Sequence, residues 1–153
     1  MVHFFLNWGV NLVFSYLATV AFAILLNIPR RALNSCGMVG VAGWFVYMLV
    51  KQFSDGVMLA NTCSAFTIGI AAMLAARHHK MPMILFNIPS LVPLVPGGQS
   101  YRAVRYFALG NNDLALDYLV QVALIAGAIA VGFVMAEFIA QWYFKFERER
   151  HPN

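Results

Sequence analysis

Long apolar runs alternate along the chain with short charged connections. Residues 1–29, 32–50, 56–76, 81–101 and 118–136 contain no Asp, Glu, Lys or Arg. A helix needs about 20 mainly apolar residues to cross the hydrocarbon core of a bilayer, and these runs have about that length. The pattern predicts an all-α integral membrane protein, a bundle of about five transmembrane helices over residues 4–28, 32–50, 56–76, 81–101 and 118–140.

Composition agrees with the pattern. Of the 153 residues, 61% are hydrophobic and 10% are charged, and the mean hydropathy is +0.73. Soluble domains average about 45–50% apolar and about 25% charged residues. The longest connection between runs has about 16 residues, so residues 1–153 are predicted to form a single transmembrane domain without a soluble domain.

The charged residues predict an orientation. Arg30 and Arg31 follow the first run, and Arg77 to Lys80 follow the third. Short basic loops face the cytoplasm, so five spans place the N-terminus outside and the C-terminus inside. Arg102 and Arg105 do not fit this order, because they would lie near the external end. A four-span alternative with a re-entrant fourth run moves them inside but places the tail outside.

Small residues recur at helical spacing within three of the runs. Such residues let helices approach closely in lipid, where no hydrophobic force drives their association. We therefore expect a tightly packed bundle. The small residues are Gly37, Gly40 and Gly43 in the second run, Ala65 and Gly69 in the third, and Ala128 and Gly132 in the fifth.

The fourth run cannot form one continuous helix. It contains four prolines and the pair Gly97-Gly98. Each interior proline removes a hydrogen-bond donor, and broken backbone is tolerated at membrane depth only inside protein or beside a water-filled cavity. A helix that restarts after the break exposes N–H groups that attract a carboxylate. The predicted substrate-binding residues are Asn87, Ser90, Pro93, Pro96, Gly97, Gly98, Ser100, Tyr101 and Arg102. A structural kink is the alternative interpretation.

Few residues of the sequence indicate proton coupling, metal binding, catalysis or nucleic-acid binding. Glu137 ends the fifth apolar run and is a candidate for proton coupling; the alternative interpretation is that it reaches the lipid headgroups. His78 and His79 have no Cys or carboxylate at ligand spacing, so no metal site is expected. No catalytic or phosphate-binding motif is visible, so we expect neither an enzyme nor a bound cofactor. The basic loops form no nucleic-acid-binding patch.

Two motifs carry a family resemblance. Asn27-Ile28-Pro29-Arg30, followed by Pro93-Leu94-Val95-Pro96-Gly97-Gly98-Gln99-Ser100-Tyr101, resembles the threonine/serine exporter family. More closely, the chain resembles the small stand-alone subunit of this family, which corresponds to the C-terminal half of the fused exporters. The resemblance implies a bacterial inner-membrane secondary exporter subunit that works with a larger membrane subunit of the same family.

The resemblance leaves the substrate and the assembly open. The leading expectation is export of amino acids such as threonine and serine. The alternatives are export of a dicarboxylate such as succinate, and a non-transporting structural or assembly subunit. Assembly as a homo-oligomer within the lipid bilayer is also compatible with the small-residue faces.

Overall fold

A computed structural model describes residues 2–54 and 56–150, with the side chains of residues 8–54 and 56–142. This part of the chain is helical, without strands. It forms α1 (Val2–Leu25), α2 (Arg30–Phe53), α3 (Val57–His79), α4 (Ile84–Ser90), α5 (Gly97–Ala108) and α6 (Asn112–Arg150).

Four of these helices are long and apolar enough to cross a membrane, over Trp8–Leu25, Arg30–Phe53, Val57–His79 and Asn112–Trp142. The predicted class, an all-α membrane protein, is confirmed. The four helices correspond to the first, second, third and fifth predicted spans. The fourth run is divided into α4 and α5, which have 7 and 12 residues and are each too short to span a bilayer alone.

The fifth predicted span begins earlier than its apolar run. Helix α6 starts at Asn112 rather than near residue 118, because Asp113 and Asp117 interrupt the apolar pattern but not the helix. Asn111 accepts a hydrogen bond from the Leu114 backbone N–H at 3.3 Å, which satisfies one donor of the first turn. Acidic residues near a helix N-terminus also interact favourably with the helix dipole.

Contacts between side chains fix the helix directions. Trp8 packs edge-on against Phe45, and Tyr16 packs beside Gly37, so α1 and α2 are antiparallel. Helices α2 and α3 are also antiparallel. Helix α6 runs in the same direction as α3, because the Thr62 hydroxyl donates to the Ala128 carbonyl (3.1 Å) while Ala136, further along α6, packs against Gly69.

The small residues predicted from spacing lie where helices pack closest. A Cβ atom on Gly40 would meet the side chain of Thr19, and one on Gly43 would meet Ile68. Polar side chains form hydrogen bonds across the same contacts. The Ser64 hydroxyl donates to the Gly43 carbonyl at 2.6 Å. The expected tight packing of α1, α2, α3 and α6 is therefore present.

The broken segment runs through the bundle from one end towards the other. Helix α4 begins just after the end of α3 and packs against α1, α2 and α3. Its Ser90 hydroxyl donates to the Cys36 carbonyl of α2 at 3.2 Å. The following turn reaches Trp44, which lies about 12 Å further along α2 at about 1.5 Å per residue. Helix α5 then packs against the first part of α6, where Tyr106 stacks on Tyr118.

Three helix ends share one C-terminal motif. Asn27, Lys80 and Gly110 each adopt a positive φ, at 55°, 52° and 76°. In each case the N–H of the next residue bonds to a carbonyl five residues back, as the Ile28 N–H does to Ala23 at 3.1 Å. This is the Schellman arrangement, which satisfies the last carbonyls of a helix and usually places glycine at the left-handed position.

Gly132 provides a test of the α3–α6 contact. A Cβ atom there would meet the Thr62 carbonyl oxygen, the Ala65 Cβ at 2.8 Å and the Phe66 backbone N at 3.0 Å. Backbone atoms cannot move aside as a flexible side chain can. We expect Gly132→Ala to lower the free energy of unfolding in detergent by about 1–3 kcal/mol.

The matched control is Gly9→Ala, because a Cβ atom at Gly9 meets nothing within 4 Å. We expect this variant to be as stable as the native chain or more stable by up to about 1 kcal/mol in the same denaturation titration, because alanine is the better helix former. Equal stability of the two variants would contradict the close packing of α3 and α6.

Candidate substrate site

A cavity of about 150 Å³ lies between α2, α3, α6 and the turn that joins α4 to α5. It has room for about five water molecules at about 30 Å³ each, which is the size range of a small amino acid. Its wall combines aromatic, polar and proline residues. These are Trp44, Tyr47, Val57, Asn61, Pro93, Leu94, Val95, Pro96, Gln99 and Ile125.

The prolines shape the inner wall of this cavity. Pro96 has no N–H, so the Val92 carbonyl receives no helical hydrogen bond from it. The chain turns tightly here, with the Leu94 N–H bonded to the Leu91 carbonyl at 2.8 Å and the Gly97 N–H to the Val95 carbonyl at 2.7 Å. Leu94 anchors the turn, since its side chain is only 5% exposed. The turn thereby places backbone N–H and C=O groups at the wall of the cavity.

An aromatic pair forms the α2 side of the cavity. The rings of Trp44 and Tyr47 stack with centroids 5.0 Å apart and an interplanar angle of 18°. The Trp44 Nε1 is buried and has no hydrogen-bond partner among the described residues. The Lys51 Nζ lies 5.7 Å from the centroid of the Tyr47 ring. The pair thus offers an unused donor and an aromatic surface, with one cation beside it.

Asn61 and Gln99 supply the amide groups of the wall. Asn61 is buried, and its Nδ2 donates to the Val57 carbonyl at 2.8 Å. This bond orients the side chain and leaves the Oδ1 as an acceptor. Gln99 lies in the first turn of α5, where backbone N–H groups have no helical acceptor. The site therefore presents donors and acceptors without a charged side chain in its wall.

Several predicted substrate residues lie at this cavity or beside it. Pro93 and Pro96 are in the wall. Gly97 and Gly98 begin α5, and a Cβ atom on either would meet no atom within 4 Å, so both adjoin open space. The Ser100 hydroxyl donates back to the Pro96 carbonyl at 2.9 Å, which ties the first turn of α5 to the preceding residue.

Asn87 and Ser90 lie on α4 and are not wall residues. The Ser90 hydroxyl is fully buried, within 3.2 Å of the Cys36 carbonyl and 2.7 Å of the Phe86 carbonyl. It connects α4 to α2. The Asn87 Oδ1 is buried and has no hydrogen-bond partner among the described residues. An unpaired buried acceptor costs free energy, so Asn87 remains a candidate for a ligand or water contact.

The remaining predicted residues lie away from the cavity. Tyr101 is 68% exposed on α5. The Arg102 guanidinium lies 5.7 Å from the centroid of the Tyr118 ring on α6. Glu137 is exposed on α6, next to Ala136, which packs against α3. The structure does not bring these three side chains together with the wall of the cavity.

The contributions of α2 and α3 to the wall were missed by sequence reasoning. Asn61, Trp44 and Tyr47 are not among the substrate-binding residues that the sequence predicts. The three-residue spacing of Trp44 and Tyr47 on a glycine-rich helix was the available signal, because it places both rings on one face. Which face meets the broken segment depends on the path of that segment. Among the described residues, no group of three His, Cys, Asp or Glu is placed to hold a metal ion.

Taken together, the packed helices and the broken segment around a small cavity define a polytopic α-helical membrane protein. The sequence model of the family described as "Threonine/Serine exporter, ThrE" matches residues 11–139. The chain belongs to this family, as its motifs had indicated.

A curated relative extends the comparison. An uncharacterized protein of Haemophilus influenzae (strain ATCC 51907 / DSM 11121 / KW20 / Rd) is 21% identical over 140 residues, covering 86% of this chain and 47% of the relative. The chain thus spans about half the length of that relative. No solved structure matches the chain.

The cavity can be tested by thiol accessibility. In a background with Cys36→Ala and Cys63→Ala, we expect Gln99→Cys to react with a small water-soluble thiol reagent. Position 99 lines a space that has room for several water molecules. We expect Ser90→Cys to resist the same reagent, because position 90 is fully buried. Mass spectrometry measures the rate at which each thiol is modified. Similar rates for the two thiols would contradict the proposed boundary of the cavity.

Proposed function

We propose that this chain is the membrane subunit of a secondary exporter of small hydroxy amino acids such as threonine and serine. The observation that carries the proposal is the cavity of about 150 Å³, walled by aromatic and amide side chains and by a broken membrane segment. Secondary transporters commonly build substrate sites from discontinuous helices whose N-termini face anionic groups. Family membership supports the same class of substrate.

The wall suggests how a zwitterion is held. The substrate carboxylate faces the first turn of α5, where the Gly98 and Gln99 N–H groups have no helical acceptor, and the Trp44 indole N–H adds a donor. The ammonium group faces the Asn61 Oδ1, an acceptor whose attraction for a cation is larger where water is excluded. Pro93 and Pro96 keep the backbone open around the substrate.

For the membrane arrangement we propose five crossings, with the N-terminus outside and the C-terminus in the cytoplasm of a bacterial cell. The parallel directions of α3 and α6 support this order, since the ends of both helices then lie on one side. The four-span alternative requires α6 to run against α3. The basic residues Arg30, Arg31 and Arg77 lie on the side assigned to the cytoplasm. Residue 153 lies outside the described residues.

We further propose that the chain works with a larger membrane subunit of the same family. The relative from Haemophilus influenzae is about twice as long as the region that it shares with this chain. A separate subunit that supplies the remaining part would complete the same architecture. A purely structural or assembly role is the competing function, and the export assay below separates the two.

Asn61 is the residue whose loss most directly tests the site. We expect Asn61→Ala to lower threonine efflux from cells loaded with threonine-containing dipeptides by about tenfold or more. This reflects the loss of about 1.5–3 kcal/mol for a hydrogen bond to a charged group. Succinate-producing cells, assayed alongside, distinguish amino-acid export from dicarboxylate export.

Gln121→Ala is the matched control, because Gln121 is an exposed amide on α6. We expect its efflux to equal that of the native protein at equal membrane expression. Gly97→Leu is a second approach to the site, since a side chain there enters open space without a clash. Native efflux from well-expressed Asn61→Ala and Gly97→Leu proteins would favour the structural role instead.

Topology is tested with introduced thiols in a background that lacks Cys36 and Cys63. We expect Asn111→Cys to react in intact cells with a membrane-impermeant reagent, because the turn between α5 and α6 then faces the outside. We expect His78→Cys to react only after the cells are permeabilised. The reverse labelling pattern would overturn the proposed orientation, and protection of both positions in intact cells would overturn the five-crossing order in favour of four spans.

A further inference from the structure

A second cavity lies where α3 ends and the broken segment begins. Its volume is about 400 Å³. Three methionines, an alanine and a proline form most of its wall, and two cations complete it. The lining residues are Met73, Ala76, Arg77, Lys80, Met81, Pro82 and Met83. This cavity lies at the opposite end of α3 from the candidate substrate site.

The position of this cavity along α3 corresponds to the boundary between hydrocarbon and headgroups. Residues 56–76 contain no Asp, Glu, Lys or Arg, and Arg77 is the first charged residue after them. Met73 is buried, with 6% of its surface exposed, whereas Lys80 and Pro82 are exposed. The cavity therefore extends from an apolar floor to an open, basic rim.

The two parts of the cavity differ in chemistry. The methionine side chains are flexible and polarizable, and they adapt to irregular apolar ligands. A zwitterionic metabolite finds no hydrogen-bonding side chain on this floor. The Arg77 and Lys80 side chains suit a phosphate, and basic pockets on the cytoplasmic side of membrane helices bind anionic headgroups. An acyl chain below a phosphate matches both parts.

Lys80 occupies a position where glycine is the usual residue. It is the left-handed residue of the Schellman motif at the end of α3, with φ of 52°. At the end of α5 the equivalent residue is Gly110. A side chain with a Cβ atom is disfavoured in this conformation. The geometry of the turn therefore does not select lysine; a cation is favoured at a helix C-terminus and in a cytoplasmic loop, and an anionic ligand would use the same charge.

We propose that this cavity binds one anionic phospholipid, with an acyl chain against Met73, Met81 and Met83 and the phosphate against Arg77 and Lys80. The roughly 400 Å³ would hold about a dozen groups of the size of a water molecule or methylene, at about 30 Å³ each. Met81 and Met83 lie directly before α4. The lipid would thus hold the start of the broken segment against α3. This inference does not depend on the substrate proposed above.

The test measures thermal unfolding of the chain in mild detergent, together with its partner subunit if the two copurify. Dioleoyl phosphatidylglycerol, dioleoyl phosphatidylcholine or soluble glycerol phosphate is added. We expect phosphatidylglycerol to raise the melting temperature by several degrees and phosphatidylcholine to raise it by less than half as much. Glycerol phosphate should have no effect, because it lacks the acyl chain. Equal shifts with the two lipids, or a full shift with glycerol phosphate, would overturn the proposal.

Lys80→Gly separates lipid binding from folding. Glycine relieves the left-handed conformation, so this variant should melt at a higher temperature than the native chain without lipid. It should nevertheless lose at least half of the shift caused by phosphatidylglycerol. Arg105→Gln, which removes a cation from α5, should retain the full shift. A full shift in Lys80→Gly, or a loss in Arg105→Gln equal to that in Lys80→Gly, would contradict the assigned site.

Met73→Trp tests the acyl-chain part of the cavity. The larger side chain fills the floor, so the shift with dioleoyl phosphatidylglycerol should fall while the charged rim is unchanged. A full shift in this variant would show that the headgroup binds without the cavity and would overturn the proposed position of the acyl chain.

Discussion

Backbone polar groups within a bilayer must find their hydrogen-bond partners inside the protein, and this constraint is most severe between α4 and α5. Pro89, Pro93 and Pro96 remove three backbone donors from a short stretch of chain. In hydrocarbon, each unsatisfied group costs several kcal/mol. Helix α4 therefore packs against α1, α2 and α3, and the tight turns of the segment and the Ser90 hydroxyl bonded to the Phe86 carbonyl satisfy part of its backbone.

The glycine faces of the long helices make this placement feasible. Gly40 and Gly43 bring α2 close to α1 and α3, and Gly69 and Gly132 bring α3 close to α6. Because lipid tails are as apolar as the helix surfaces, such association relies on close packing and interhelical hydrogen bonds. Once these helices are held by close contacts, α4 can lie against α2 and α3 while α5 packs on α6. The cavity lies where the two parts of the broken segment join.

The sequence predicts the features that depend on local covalent structure. The prolines indicate where the fourth run breaks, and the glycine spacing identifies helix faces that pack. The wall of the cavity is harder to predict, because Trp44 and Asn61 become neighbours of the broken segment only through the packing of three separate elements. Arg102 is the converse case, because it is predicted at the site and the structure places it elsewhere. Its position one turn into α5 placed it near the predicted site, whereas its guanidinium lies over the Tyr118 ring of α6, away from the cavity.

The chemistry of the cavity wall bears on the choice between a zwitterion and a dicarboxylate. Its lining residues include no charged side chain, and the Lys51 ammonium near the Tyr47 ring is the single cation described beside it. A dicarboxylate brings two negative charges, and burying them without two opposing cations carries a large desolvation penalty. A zwitterion brings balanced charges, which an α-helix N-terminus and the oxygen of the Asn61 amide can each partly stabilise. The wall is therefore better suited to a small amino acid than to succinate.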